Sequence, residues 1–339
     1  MAIFREKLIA ALMAGLLLAG CDDSQPAQPI VIKFSHVVAP DTPKGKAAQY
    51  FKTLAEQRTQ GRVTVAIYPN SQLYKDKEEM EALQLGAIQM LAPSLAKFGP
   101  LGVKEFEVFD LPYIFPSKEV LRSVTEGEVG RGLLKKLESK GIIGLAYWDN
   151  GFKIMSANRP LRNPADFQGV KMRIQSSKVI DSQMRALGAL PQVMAFSEVY
   201  QALKSGVVDG AENPPSNMYT QKMHEVQAYA TISNHGYLGY AVIVNKRFWD
   251  GLPPSIRTIL EGAMADATTY ANTIAQDEND EALKAMKASG KTEFTQLTAA
   301  ETETWRRALL PVHGVMADRV GRELIQSIYR EAAKFGFQN

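Results

Sequence analysis

The chain has 339 residues, 45% apolar and 22% charged, enough apolar material for one large domain or two ordinary ones. A net charge of +3, four histidines and no basic block or aromatic-basic interleaving argue against nucleic acid as a partner. The single cysteine, Cys21, excludes an intramolecular disulfide and a cysteine-based metal cluster.

At the N-terminus, Arg5 and Lys7 form a basic start, Leu8 to Leu18 an apolar run, and Leu18-Ala19-Gly20-Cys21 follows at once. This is the layout of an export signal. The run is too short to span a bilayer, which needs about 20 apolar residues. The last four residues resemble the lipobox of bacterial lipoproteins. That implies a signal peptide over 1–20 and a lipidated Cys21 as the first mature residue; a cleaved signal with an unrelated cysteine is the alternative. Asp22 resembles the inner-membrane retention signal of some Gram-negative lipoproteins. Residues 21–29, polar and proline-containing, read as a tether. No other stretch approaches a transmembrane segment.

Ile30 to Phe34 has the composition of a buried strand, with His36 just past its end. Thr42-Pro43 is a capped helix start, and the helix is expected to reach about Gln57. Val63 to Tyr68 is the next strand, Lys77 to Leu85 a helix, and Ile88 to Pro93 a strand followed by Ser94 and Lys97. Strands alternating with helices predict parallel α/β structure. After an apolar loop over Val108–Phe115, a helix is expected from Lys118 to about Ser139. Strands are then expected over Ile142–Trp148 and Lys153–Ala157, separated by a turn at Asp149-Asn150-Gly151.

Val170, Met172 and Ile174 alternate with Lys171, Arg173 and Gln175, the period of a half-buried strand. Ser176 and Ser177 then cap a helix that carries Val179, Ile180, Met184 and Leu187. Arg173 thus falls near the carboxyl end of a strand, the edge at which open α/β sheets bind ligands. Taken singly it reads as an ordinary surface arginine. Beside a helix N-terminus it also reads as a carboxylate receptor. Further strands are expected at Tyr229–Ser233 and Tyr240–Asn245. Helical spacing from Ser255 to about Ala288 predicts a brace roughly 50 Å long that touches two lobes. Thr298 with Glu301 is a capping-box pair opening a final helical region to about Lys334.

No phosphate loop, zinc-protease spacing or nucleophile elbow occurs. What stands out is a set of residues just past expected strand ends: His36, Lys44, Ser94, Lys97, Lys153, Arg173, Asn213 and His235. Four are lysine or arginine and none is acidic. Singly, each has a structural explanation, such as Asn213 capping a helix from Pro214 onward. Together they point to a small anionic ligand.

At this point the chain resembles a known family. VIKFSHVV with DTPKGKAA, YPNSQL, LAPSLAKF, FDLPYIF, GVKMRIQ, MAFSEVYQALKSGVVDGAENP, QKMHEVQ and SNHGYLGYAVIVNKRFW occur in that order. They resemble the solute-binding proteins of tripartite ATP-independent periplasmic (TRAP) transporters, of the dicarboxylate-binding DctP type. The resemblance covers roughly Ile30 to Ala288. It implies a two-lobed α/β fold with a cleft between lobes, crossover strands and a long lobe-spanning helix. One lobe would hold 30–149 plus about 238–276, the other 150–237 plus about 277–339.

The resemblance further implies that Arg173 pairs with a substrate carboxylate and that Asn213 of the ENP motif and Phe196 of MAFSEVY contact the ligand. Lys153 of the hinge strand, Lys97 and Ser94 of the APSLAKF block, and His235 occupy further motif positions. Lys153 instead of arginine and Ser94 instead of an acid depart from the sialic-acid binders; a neutral serine suits a ligand with a second carboxylate. The expected ligand is a four-carbon dicarboxylate, with Lys97, Lys153 and Lys44 supplying positive charge and His36, Ser94, Asn213 and His235 hydrogen bonds. Another organic acid, or an exported enzyme acting on such acids, are the rival readings. The resemblance implies no cofactor, a TRAP permease as membrane partner, and a periplasmic, lipid-anchored location.

Overall fold

The computed structural model describes residues 28–337. The expected signal peptide, Cys21 and most of the tether lie outside them. The strands run β1 (Ile30–Ser35), β2 (Val63–Tyr68), β3 (Met90–Leu91), β4 (Ile142–Phe152), β5 (Ile154–Ala157), β6 (Lys171–Ile174), β7 (Leu190–Val193), β8 (Gly210–Asn213), β9 (Tyr229–Ile232), β10 (Tyr237–Asn245) and β11 (Glu293–Gln296). They form a five-stranded sheet, β2-β1-β3-β10-β4, and a six-stranded sheet, β11-β9-β5-β8-β6-β7.

Each sheet is mixed rather than purely parallel. β1, β2 and β3 are parallel, but β10 runs antiparallel to both β3 and β4. In the second sheet β6, β7 and β8 are parallel, whereas β5 opposes β8 and β9. The antiparallel strands are those that cross between the sheets, β4 into β5 and β9 into β10. This is the two-lobed α/β architecture.

The expected turn at Asp149-Asn150-Gly151 is a β-bulge inside a continuous strand. Gly239 pairs with Asp149 and Leu238 with Gly151, which leaves Asn150 unpaired in the ladder. Side chains of the long helix meet the backbone at the bulge: Asn272 Oδ1 accepts the Asp149 N–H (2.8 Å), and Asn279 Nδ2 donates to the Asn150 carbonyl (2.5 Å). Gly151 has φ +149°. The helix expected over Lys118–Ser139 is broken at Gly127, where an extended backbone ends Lys118–Glu126 and starts Glu128–Lys136. The strand expected over Ile88–Pro93 keeps only Met90–Leu91.

The caps are where the sequence placed them. Thr42 Oγ1 accepts the Gly45 N–H, Ser177 Oγ the Ile180 N–H, and Thr298 and Glu301 close a reciprocal box. The long helix runs Pro254–Ser289, 36 residues or about 54 Å. Its first half shares a core with Phe34, Phe51, Trp148 and Val242 of the first sheet and its helix. Met286, near its end, belongs to a core with Ile154 and Ala211 of the second sheet and with Phe196. Helices Pro311–Val320 and Arg322–Lys334 pack Val312, Met316 and Ile328 against Phe106, Phe109 and Val120. Residues 311–334 therefore touch elements of the first lobe as well as Lys178–Ala186 of the second. Among the described residues no helix is long and apolar enough to cross a membrane.

Candidate functional site

Between the sheets lies a narrow cavity of about 20 Å³, lined by Val37, Val38, Lys44, Asp76, Ser94, Arg173, Gln175, Phe196, Asn213, Asn217, Leu238 and Tyr240. That is room for about one water molecule, so a ligand of several carbons enters as the lobes move apart. Both lobes contribute to it, because β1, β3 and β10 from one sheet and β6 and β8 from the other aim their ends at the same gap.

Arg173, the third residue of β6, is 1% exposed. Its Nε and Nη2 donate to the Met194 carbonyl at 3.1 and 2.8 Å. Its guanidinium carbon lies 5.9 Å from the centre of the Phe196 ring. Asn213 ends β8, and Asn217 follows four residues later in the helix Pro215–Thr220. The Asn217 amide donates weakly to Asn213 Oδ1 and to the Tyr240 hydroxyl, both at 3.4 Å. Asn213 Nδ2 and Asn217 Oδ1 have no partner among the described residues. Leaving such buried atoms unmet costs about 1–3 kcal/mol each, so their place on a cavity wall marks them for a ligand.

Lys44 enters from the first turn of Pro43–Arg58. Its Nζ donates to the Ala92 carbonyl at 2.9 Å and sits 3.8 Å over the Tyr240 ring. Burial lowers its pKa to about 8, against the opposing pull of Glu79 and Asp76. Glu79 is itself buried, and burial raises its pKa to about 8 despite Lys44. Burial alone would also raise the Asp76 carboxyl. Lys97, Arg173 and the Phe196 N–H outweigh it and hold Asp76 below the usual carboxylate range.

Four of the nine expected ligand contacts do not line the cavity. Lys97 Nζ lies 3.1 Å from Asp76 Oδ1, behind the wall that Asp76 forms. Lys153 Nζ donates to Glu212 Oε1 at 2.7 Å, and His235 Nε2 meets Glu212 Oε2 at 2.9 Å. The other His235 ring nitrogen meets Ser233 Oγ at 2.7 Å. Burial pushes the Glu212 carboxyl up, but Lys153 and His235 prevail and hold it at about 2. His36 borders a separate outer depression with Lys46, Gln49 and Tyr270, and burial and Lys44 lower its pKa to about 3.

The absence of acids from the sequence-derived set is corrected by the structure: Asp76, Glu79 and Glu212 are buried among those lysines. Asp76 and Glu79 open the helix Asp76–Leu85, and Glu212 lies between Ala211 and Asn213 on β8. Gln175, Asn217 and Tyr240 are also new. Gln175 shares the strand parity of Arg173 and Asn217 follows Asn213 by one helical turn, so spacing held a signal for both. Among the described residues no group of three or more His, Cys, Asp or Glu side chains is placed to hold a metal ion.

Residues 34–319 match the model of the family DctP, the bacterial extracellular solute-binding proteins, family 7. The chain belongs to this family. This DctP-family chain is 70% identical over 308 residues to the C4-dicarboxylate-binding periplasmic protein DctP of Rhodobacter capsulatus, spanning 91% of this chain and 92% of that protein. It is 41% identical to the C4-dicarboxylate-binding protein DctB of Bacillus subtilis, over 91% and 88%. Among solved structures it resembles a TRAP periplasmic solute-binding protein of Shewanella oneidensis with bound succinate. The TM-score there is 0.88 and the identity 40%, covering 89% of this chain and 99% of that one. A Pseudomonas aeruginosa counterpart with bound L-malate gives 0.83 and 44%, over 85% and 100%. A DctP-family chain is a TRAP solute-binding protein, extracytoplasmic and not an enzyme.

Proposed function

We propose that this protein captures a four-carbon dicarboxylate such as succinate, fumarate or malate in the closed cleft and delivers it to a TRAP membrane permease for ion-coupled uptake. The observation that carries the reading is the charge on and just behind the cavity wall. Arg173, Lys44 and Lys97 are cationic, Asp76 is anionic, and Glu79 is held mostly protonated near neutral pH by burial. The balance of two positive charges matches a dianion. Arg173 grips one carboxylate through the guanidinium edge that Met194 leaves open, and Lys44 faces the other. Ser94, Asn213 and Asn217 supply hydrogen bonds, and Phe196 packs on the carbon chain. Lys97, Lys153 and His235 act from behind this layer, by holding Asp76 and Glu212. The dicarboxylates named for the similar proteins support the same choice.

Calorimetric titration of the mature protein tests this. Succinate, fumarate or malate is expected to bind tighter than about 1 mM, beyond about −4 kcal/mol. If none does while a sugar acid or keto acid does, the substrate class is wrong. Cys21 is the lipid anchor in this reading, with residues 21–29 as tether. Mass spectrometry of the membrane-extracted N-terminus is expected to find a lipidated cysteine; an unmodified terminus beyond Cys21 removes the anchor.

A further inference from the structure

We propose that Asp76 is the partition that limits how long a ligand the cavity accepts, by sealing it from a larger groove outside. The inference rests on the dicarboxylate reading above. A groove of about 680 Å³ runs along the outer side of the seam between the lobes, lined by Met80, Leu101 and Val193 as well as by the charged Lys77, Glu81 and Lys140. Asp76 is the one described residue that lines both groove and cavity.

The neighbouring backbone divides in the same way. Ser94 lines the cavity while Lys97, in the same turn, lines the groove; Phe196 lines the cavity while Met194 and Ala195 line the groove. Asp76 fills the space between these two segments and is tied to both. Its Oδ1 meets Lys97 Nζ at 3.1 Å in the first lobe, and its Oδ2 accepts the Phe196 N–H at 2.7 Å from the second. The carboxylate cannot swing aside without stranding a buried ammonium and a buried N–H. A diacid longer than the cavity has to displace it to reach the groove. Shortening the side chain removes the wall and joins the two spaces, and the apolar part of the groove, around Met194, Val193 and Met80, then accepts the extra methylenes.

The test is calorimetric titration of wild type, Asp76→Ala, Asp76→Ser and Asp76→Asn with succinate and with the six-carbon diacid adipate. The readout is the ratio of the two affinities. Wild type is expected to favour succinate by at least about tenfold per added methylene. Asp76→Ala and Asp76→Ser are expected to shrink that ratio by at least about tenfold, and Asp76→Asn to hold it within about threefold. Asparagine removes the charge but keeps the wall, so any general gain for dianions from the lost negative charge cancels in the comparison. An unchanged ratio in the shortened variants, or an equal loss in Asp76→Asn, overturns the partition. If wild-type protein binds no four-carbon diacid, the functional reading falls and this inference with it.

Discussion

Arg173 carries five N–H donors in a rigid fork, and the Met194 carbonyl engages two nitrogens of it. The Nη1–Nη2 edge remains for a planar anion, in the geometry of a bidentate carboxylate pair. Arg173→Met is expected to weaken succinate binding by about 2–5 kcal/mol, because the carboxylate would be buried without a partner. Arg173→Lys is expected to recover only part of that, since an ammonium lacks the fork. Calorimetry on both variants checks this, and wild-type affinity in Arg173→Met would remove the arginine from the site. The Lys44–Glu79 neighbourhood makes a second prediction. Below about pH 8 Glu79 holds its proton; as pH rises through about 8 it ionises and Lys44 begins to lose its charge. Both changes subtract positive charge, so dianion affinity is expected to fall there. Glu79→Gln is expected to flatten part of the fall and leave the share due to Lys44. The sign for stability is the same: an acid whose folded pKa is raised costs the folded state progressively from about 4.5 to about 8. Equal slopes in wild type and Glu79→Gln, by titration and by unfolding, would exclude the glutamate.

One side chain of the long helix joins the bulge of the crossover strand to the second lobe. Asn279 donates to the Asn150 and Ala275 carbonyls and accepts the Ser216 N–H at 2.9 Å. It thereby serves the bulged residue of β4 and the start of the helix that carries Asn217. Gly151 leaves room for it: a Cβ there would stand 2.8 Å from the Asn279 amide. Asn279→Leu keeps the size but strands buried polar groups, at about 1–3 kcal/mol each. The expected outcome is a lower urea midpoint with weakened succinate binding, since the same bond positions Ser216 and Asn217. A wild-type midpoint would mean that the β10 ladder and Asn272 hold the bulge without Asn279.

At the scale of the molecule, a ligand gripped from both lobes stabilises the closed form over the open and the unfolded ones. At a concentration of one hundred times Kd, succinate is expected to add about 2.7 kcal/mol of stability. Thermal unfolding reads this directly, and solution scattering is expected to show a smaller radius of gyration with succinate than without. Neither change is expected in Arg173→Met at the same concentration. Contraction without any ligand dependence would count against cleft closure as the capture step. Across the seam, Lys75 Nζ and Glu198 Oε1 lie 2.6 Å apart, but both side chains are about half exposed, so solvent and salt screen the pair. The Asp76–Phe196 bond is a buried link between the lobes, shielded from such screening.

Local chemistry by itself determined the caps at Thr42, Ser177 and Thr298, most strands with a clear period, and the long helix. It also singled out Arg173, Asn213, Lys44 and Ser94, and the family resemblance added Phe196; the fold gathers all five around one cavity. Those features depend on neighbours a few residues away, or on motifs that stand in order along the chain. The short strands β7, β8 and β11 escaped, because four residues paired within a sheet need no periodic pattern of their own. The bulge at Asn150 escaped because its polar groups are met by Asn272 and Asn279, more than a hundred residues distant. Only the tertiary structure decided which charges face the cavity. Lys97 and Lys153 look like free cations in the sequence, but Asp76 and Glu212 lie against them in the fold. The sign and reach of a buried charge are set by what is packed beside it, and that packing is made between elements far apart in the chain.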